Sequence, residues 1–127
     1  MATTVLIVDD EAEVREMYVP FFASKGYESL AARNGKEAIE ILRTKKIDLI
    51  ILDLSMPEMT GEEVMREMVA NDKWRKIPII IDTALAASTP RVKLINKEFE
   101  GKLDFDFFQR PTSLEELSKA IKRILYF

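Results

Sequence analysis

The sequence contains no cysteine and no histidine, and these two absences narrow the chemistry that the protein can perform. Without cysteine, the chain forms no disulfide, has no thiolate nucleophile and offers no sulfur ligand to zinc or iron. Without histidine, it lacks the most common general base and the imidazole metal ligand. Any reaction of this protein must therefore be carried by carboxylates, hydroxyl groups, lysine or arginine.

Long apolar runs and an excess of positive charge are also missing. No apolar run approaches the roughly 18 residues of a membrane-spanning helix, and the N-terminal Met-Ala-Thr-Thr lacks the basic region and apolar core of a signal peptide. The 19 basic and 22 acidic residues give a net charge of −3, so no basic field is available to steer a nucleic acid. We therefore expect a cytoplasmic protein that contacts neither a membrane nor a nucleic acid directly.

Short apolar runs alternate with amphipathic segments along the 127 residues, a length that predicts one domain over 1–127. The predicted strands are 5–8, 27–32, 49–54, 78–81 and 105–109. The predicted helices are 10–26, 36–45, about 61–70, about 91–100, and a last one capped by Thr112 or Ser113. In the first helix, Asp10 is the predicted cap, and Pro20 is predicted to cause a kink or an early end. This alternation implies a three-layer α/β sandwich with right-handed crossovers.

Acidic side chains follow two of the predicted strands. Asp53 interrupts the third strand near its carboxyl end, and Asp9, Asp10 and Glu11 come directly after the first strand. A lone carboxylate at a strand end is as readily a helix cap or a solvated charge. If the two strands are neighbours, however, three or four carboxylates converge on one crevice, where their repulsion requires a proton or a cation. Oxygen ligands suit a hard divalent ion, so the pattern predicts a Mg²⁺ site.

Taken together with two further motifs, these acids make the chain resemble the receiver domain of two-component response regulators. The resemblance is to the stand-alone type, which is similar to chemotaxis regulators. The residues that carry the resemblance are Asp9-Asp10, Asp53 in Asp-Leu-Ser-Met-Pro-Glu-Met-Thr-Gly, Thr83-Ala84, and a basic residue before Pro111. The resemblance covers the whole chain. It implies the flavodoxin-like fold, with a five-stranded parallel sheet in the order 2-1-3-4-5 and five helices.

The resemblance also implies how a phosphoryl group is taken up. Asp53 would be the phosphoacceptor, receiving the group from a sensor histidine kinase or a histidine phosphotransfer protein. Asp9 and Asp10, with Asp53 and the backbone carbonyl of Ser55, would hold Mg²⁺. A cation at this point fits the chemistry, because phosphoryl transfer needs an in-line nucleophile and neutralisation of the phosphoryl oxygens. Such a domain is a signalling receiver that promotes only its own phosphorylation and dephosphorylation, and not an enzyme.

Three more residues match the switch of the family. Thr83 would hydrogen-bond a phosphoryl oxygen, and the small Ala84 would leave room for the group and offer its backbone N–H. The alternative for Thr83 is a β-branched residue that merely suits a strand end. Phe107 matches the aromatic residue that turns inward when the switch hydroxyl moves, with ordinary core packing as the alternative.

Two residues depart from the family pattern. Arg110 stands where the family has lysine, and a planar, two-pronged guanidinium is not equivalent to a point charge. Arg110 would contact the phosphoryl group, or else point to solvent or pair with an acid. Asp82 occupies a position that is usually apolar in the family. Strand alternation turns Asp82 away from Thr83 and toward a helix layer, where a charge is costly unless it is paired, and nothing in the sequence accounts for it.

Output is expected to pass to a downstream protein partner through the face of helix 4, strand 5 and helix 5, which by this expectation contains Phe99, Phe107 and the chain end at Phe127. We expect a monomer or a weak dimer. In the family, the lifetime of the phosphate depends on the positions that Ser55 and Leu85 occupy here. Because apolar Leu85 cannot orient an attacking water, we predict slow self-hydrolysis.

Three alternative functions compete with that of a phosphorylated receiver. A flavin-binding electron carrier needs a phosphate-cradling loop after the first strand, and Asp9-Asp10-Glu11 would repel a phosphate. A Mg²⁺-dependent phosphatase with an aspartyl nucleophile would need a further segment that covers its substrate, and the chain is too short to include one. A degenerate receiver that binds partners without being phosphorylated is supported only by Arg110 and Asp82.

Overall fold

The computed structural model describes residues 2–126, and its centre is a five-stranded parallel sheet in the order β2-β1-β3-β4-β5. The strands are β1 (Thr4–Val8), β2 (Glu28–Ala32), β3 (Leu49–Leu52), β4 (Ile79–Thr83) and β5 (Phe105–Gln109). The helices are α1 (Ala12–Ser24), α2 (Gly35–Thr44), α3 (Gly61–Val69), α4 (Pro90–Phe99) and α5 (Leu114–Tyr126). The predicted fold class and strand order are therefore confirmed.

Two apolar cores cover the two faces of this sheet, because successive residues of each strand point to opposite sides. Leu6 and Val8 of β1 pack with the buried residues of α2, α3 and α4. Val5 and Ile7 pack on the other side, with the buried residues of α1 and α5. The central strands are apolar on both faces, as expected of a buried parallel sheet.

The register of the sheet brings three acids into one row. Val8 of β1 lies opposite Leu52 of β3, and Leu52 lies opposite Ile81 of β4. The next residue along each of these strands is Asp9, Asp53 or Asp82, so the three carboxylates follow one another across neighbouring strands. This row lies at the carboxyl edge of the sheet, which is where α/β proteins of this type place their ligands.

The ends of the helices agree with the predictions only in part. Ser113 accepts the Glu116 N–H at 3.0 Å, as one of the two caps proposed for α5. The predicted cap for α1 is wrong, because the N-cap residue is Glu11, whose side chain makes no cap hydrogen bond; the Glu11 N–H donates to Asp9 Oδ1 at 2.9 Å. Of the two effects predicted for Pro20, a kink or an early end, the early end does not occur, since α1 continues to Ser24.

Gly61, the first residue of α3, allows a close contact between that helix and β3. A Cβ atom at this position would lie 2.7 Å from the Asp53 backbone oxygen and 3.0 Å from Leu54 Cα. The start of α3 is therefore tightly packed against the end of β3. It fixes the segment after Asp53 against the start of α3.

The surface expected for output needs one correction. Phe99 is only 1% exposed and belongs to the core under α4, where it follows Val92 and Ile95 at helical spacing. Phe107 is half-buried against the same core. Phe127 lies outside the described residues. Within 2–126, no helix combines the length and the apolar character required to cross a bilayer.

Candidate functional site

Three carboxylates converge at the carboxyl edge of the sheet. Asp9 and Asp10 follow β1, Asp53 follows β3, and one oxygen atom of each lies within 4.8 Å of the others. Asp9 and Asp53 are almost fully buried, at 1% and 6% exposure, whereas Asp10 is exposed. The crevice is therefore open to solvent on one side and closed around two of its three acids.

The electrostatics of this cluster act most strongly on Asp53. Burial, and next the negative charge of Asp9, raise the pKa of Asp53 from its ordinary 3.8 to about 6, although Arg110 offsets part of this effect. The Asp53 carboxylate receives little compensation from the backbone, since its contact with the Ser55 N–H is long, at 3.4 Å. Asp53 is thus a crowded anion at neutral pH, and a bound cation would relieve it.

Both oxygen atoms of Asp9 already have partners. Oδ1 accepts the N–H of Glu11 at 2.9 Å, and Oδ2 accepts a hydrogen bond from Arg110 Nη2 in a buried ion pair. The Arg15 side chain donates to the backbone carbonyl of Asp9 at 2.7 Å. Asp9 is consequently held in place from three sides.

Arg110 pairs with acids and does not point to solvent. It follows β5, and its backbone N–H donates to the Thr83 carbonyl at 2.7 Å, which places the side chain over the end of β4. From there Nη2 reaches Asp9, and both Nε and Nη2 lie 3.2 Å from Asp82 Oδ2. Burial alone would lower the pKa of Arg110, but its bond to Asp9 and the charge of Asp82 raise the pKa above its ordinary value. Arg110 therefore stays charged.

Asp82, which no sequence pattern explained, is the second partner of Arg110. Its side chain turns away from Thr83 toward α1, as strand alternation predicts, and is fully buried. The Tyr18 hydroxyl donates to Asp82 Oδ2 at 2.7 Å. Burial, and then this hydrogen bond, raise the pKa of Tyr18. The two departures from the family pattern, at positions 82 and 110, thus compensate one another.

The proposed switch residues lie next to this cluster. Thr83 is 1% exposed and its Oγ1 accepts the Leu85 N–H at 3.3 Å, while Ala84 is exposed beside it. Phe107 is two strand positions before Gln109, the register partner of Thr83. The structure thus places Thr83 and Ala84 at the same sheet edge as the acids, with Phe107 on the adjacent strand.

Arg91, at the start of α4, is a contact residue that the sequence analysis missed. Its guanidinium donates to the Leu54 carbonyl at 2.7 Å, to Ser55 Oγ at 3.2 Å, and to both carboxylate oxygens of Glu62 at 2.6 and 2.8 Å. Arg91 therefore joins α4 to the loop after Asp53. The only signal in the sequence was an arginine directly after the Thr89-Pro90 helix start, which gives no indication of its partners.

The donor set of the crevice fits a hard divalent cation. Its ligands are carboxylate oxygens, with the exposed Asp10 on the open side and the crowded Asp53 within. Such an ion favours oxygen ligands and retains several waters, which the open side permits. One rearrangement is required if Asp9 Oδ2 is to serve as a ligand, because Arg110 occupies that atom.

Comparison with known proteins gives a consistent result. The family model described as "Response regulator receiver domain" matches residues 5–122. The polar-differentiation response regulator DivK of Brucella anthropi is 30% identical over 125 residues, which cover 98% of both chains. The regulatory protein AtoC of Escherichia coli is 33% identical over 121 residues, 95% of this chain, which spans only 25% of AtoC.

Solved structures show the same similarity. The chemotaxis protein CheY4 of Vibrio cholerae superimposes with a TM-score of 0.86 at 29% identity, covering 98% of this chain and all of that one. The response regulator TrrA of Thermotoga maritima, solved in complex with Mg²⁺-BeF, gives a TM-score of 0.79 at 32% identity, covering 97% and 99% of the two chains.

Proposed function

Because this chain belongs to the family of response regulator receiver domains, which are signalling modules and not classical enzymes, we propose that it accepts a phosphoryl group on Asp53. The observation that carries this proposal is the convergence of Asp53 with Asp9 and Asp10 at the carboxyl edge of the sheet. The donor would be a sensor histidine kinase or a histidine phosphotransfer protein, the partner class of this family.

Asp53 would act as the nucleophile. One of its carboxylate oxygens attacks the phosphorus of a phosphohistidine, the O–P bond forms, and the P–N bond breaks as the imidazole leaves with its electron pair and takes up a proton. With acetyl phosphate, the P–O bond to the acetyl group breaks and acetate leaves. The ionised form of Asp53 is the reactive one, and it predominates above its pKa of about 6.

Asp9, Asp10, Asp53 and the backbone carbonyl of Ser55 would hold Mg²⁺. When bound, this ion supplies positive charge for the phosphoryl oxygens. The crowding of Asp53 supports a cation at this site, and so does the Mg²⁺-BeF complex of the similar regulator TrrA.

The phosphorylated site would signal through Thr83, Ala84 and Phe107. The Thr83 hydroxyl would exchange its contact with the Leu85 N–H for a phosphoryl oxygen, and the backbone N–H of the small, exposed Ala84 would bind a second one. Phe107, half-buried on the adjacent strand, would turn inward as Thr83 moves.

A downstream protein partner would bind the face formed by α4, β5 and α5. The large exposed apolar side chains of these helices lie elsewhere: Leu94, at 65% exposure, lines a groove between α3 and α4, and Tyr126, at 58%, hydrogen-bonds to Thr3 before β1. Because Phe99 is buried, half-buried Phe107 of β5 is the apolar residue of the expected set that the face retains. The assignment of this face therefore rests on the family resemblance, since apolar residues that are exposed singly are normal on protein surfaces.

Intact mass after incubation with acetyl phosphate and Mg²⁺ tests the proposal. We expect one added phosphoryl group on the parent protein, none on Asp53→Asn, and one on the matched control Asp106→Asn, whose carboxylate is exposed on β5. An unchanged parent mass, or equal labelling of Asp53→Asn, would contradict the role of Asp53.

A second candidate, the degenerate receiver, is favoured by one contact. Arg110 already supplies a positive charge to Asp9, so an internal cation could replace the metal permanently. In that case neither acetyl phosphate nor Mg²⁺ would change the protein, and partner binding would be the same for the parent and Asp53→Asn.

Several expectations from the sequence stay predictions: one receiver domain over 1–127, a cytoplasmic location, a monomer or weak dimer, and slow loss of the phosphate. The last depends on half-buried, apolar Leu85. Replacing Leu85 with glutamine, which can orient water, should shorten the half-life of the phosphorylated protein in a discharge assay.

A further inference from the structure

Asp82 is a buried acid that the proposed phosphoryl transfer does not use. It is 0% exposed and forms the third carboxylate of the row across β1, β3 and β4. Its Oδ2 atom accepts bonds from Tyr18 and Arg110, whereas Oδ1 has no hydrogen-bond partner among residues 2–126. A buried carboxylate oxygen that accepts no hydrogen bond costs folding free energy, so the missing hydrogen-bond donor needs an explanation.

Arg110 can supply that missing bond. At present, Nε and Nη2 both approach the same oxygen of Asp82, each at 3.2 Å, while Nη2 also binds Asp9. A guanidinium fork can bind the two oxygens of a single carboxylate with two parallel bonds. A small shift of the fork onto both oxygens of Asp82 would satisfy Oδ1 and release Asp9.

We propose that Asp82, oriented by Tyr18, is a positioning residue that gives the Arg110 guanidinium two alternative positions. In the first, the guanidinium bridges Asp9 and Asp82; in the second, it binds Asp82 alone and leaves Asp9 to a divalent ion. The inference rests on the proposed function, which supplies the ion. It also accounts for arginine at position 110, since a single ammonium group has no fork with which to bind two oxygens of one carboxylate.

The second position keeps the positive charge at the site. Among the described residues, Asp9 and Asp82 are the two hydrogen-bond partners of the Arg110 side chain. Without Asp82, a guanidinium displaced from Asp9 would therefore move into solvent. With Asp82, the charge remains beside β4, next to Thr83, whose carbonyl holds the Arg110 backbone. A divalent ion can therefore bind Asp9 while the positive charge of Arg110 stays at the site.

A double-mutant cycle on Mg²⁺ affinity, measured by titration calorimetry, tests this coupling. Arg110→Met should tighten Mg²⁺ binding about tenfold, because it removes the cation that competes for Asp9. Asp82→Asn should weaken binding about fivefold in the parent but less than about twofold when Arg110 is already methionine. Tyr18→Phe should weaken binding about twofold, and the matched control Tyr126→Phe should not change it.

A second measurement follows the Arg110 side chain of the parent protein by nuclear magnetic resonance. In protein labelled with ¹⁵N-arginine, the Arg110 Nε–H resonance, assigned with Arg110→Lys, should be protected from solvent exchange before Mg²⁺ is added. It should shift on saturation with Mg²⁺ and remain protected, since Nε stays on Asp82. A resonance that broadens into solvent exchange on Mg²⁺ addition would overturn the proposal.

The remaining outcomes separate the inference from the proposed function. Equal effects of Asp82→Asn in the two backgrounds would overturn the inference, while phosphorylation of the parent by acetyl phosphate would leave the proposed function standing. A parent protein that neither binds Mg²⁺ nor gains a phosphoryl group would overturn both.

Discussion

Asp53→Asn should stabilise the protein at neutral pH, because the folded protein must hold Asp53 as a crowded anion. The pKa of Asp53 rises from 3.8 to about 6 on folding, through burial and the charge of Asp9. One pKa unit corresponds to about 1.4 kcal/mol, so the ionisation of Asp53 costs the folded state up to about 3 kcal/mol. Asparagine has a similar shape and avoids this cost.

The pH dependence identifies the cause. A folded-state pKa above the unfolded value means that stability is greatest below the unfolded pKa and falls as the pH rises through the folded one. At about pH 4, the neutral acid predominates in the folded protein and most of the penalty is gone. The advantage of Asp53→Asn should therefore be about 2 to 3 kcal/mol at pH 7.5 and well under 1 kcal/mol at pH 4.

Urea unfolding followed by circular dichroism, with EDTA present, measures both values. A gain of this size should raise the urea midpoint by about 1 to 2 M at pH 7.5. Asp106→Asn, which removes an exposed carboxylate, should give no comparable gain. A variant that is no more stable than the parent at pH 7.5, or whose advantage is the same at pH 4, would refute the crowded-anion account.

Four further changes test the packing around the site, each by urea unfolding. Gly61→Ala should cost more than about 2 kcal/mol, because its Cβ would meet the Asp53 backbone oxygen at 2.7 Å, and Gly35→Ala should also cost more than about 2 kcal/mol, because its Cβ would meet Met59 Cγ and Cβ at 2.7 and 2.8 Å. A negligible loss at either position would contradict this close packing. Tyr18→Phe should cost about 1 to 2 kcal/mol by removing a hydrogen bond to a buried carboxylate, and Tyr126→Phe, on the surface, nearly nothing. Asn34→Ala should cost about 1 kcal/mol through loss of the α2 cap, and no loss would mean that this cap is not needed.

Local patterns were sufficient to predict the three-layer α/β sandwich, whereas the strand order that groups the acids followed from the family resemblance. The alternation of apolar runs and amphipathic segments specifies a parallel sheet, and acids at the ends of neighbouring strands must then meet. The burial of Phe99 could also have been predicted, since Val92, Ile95 and Phe99 repeat at helical spacing.

Long-range polar contacts could not be predicted in this way. Asp82 is separated by 64 residues from Tyr18 and by 28 from Arg110, and nothing in the local pattern of any one of them indicates the other two. The contacts exist only because the register sets Asp82 in the row of acids and α1 packs over it. Periodicity predicts which face a side chain takes, and tertiary packing decides its partner.

The contacts of Arg91 have a mechanical consequence. One side chain at the start of α4 makes bonds to the Leu54 carbonyl, to Ser55 and to Glu62 of α3. The loop that carries Ser55 therefore cannot shift relative to α4 without either pulling that helix along or breaking these bonds. Arg91 therefore couples the acidic crevice mechanically to the helix that presents Leu94, so a shift of the loop at the crevice is carried to the surface of α4 for as long as these bonds hold.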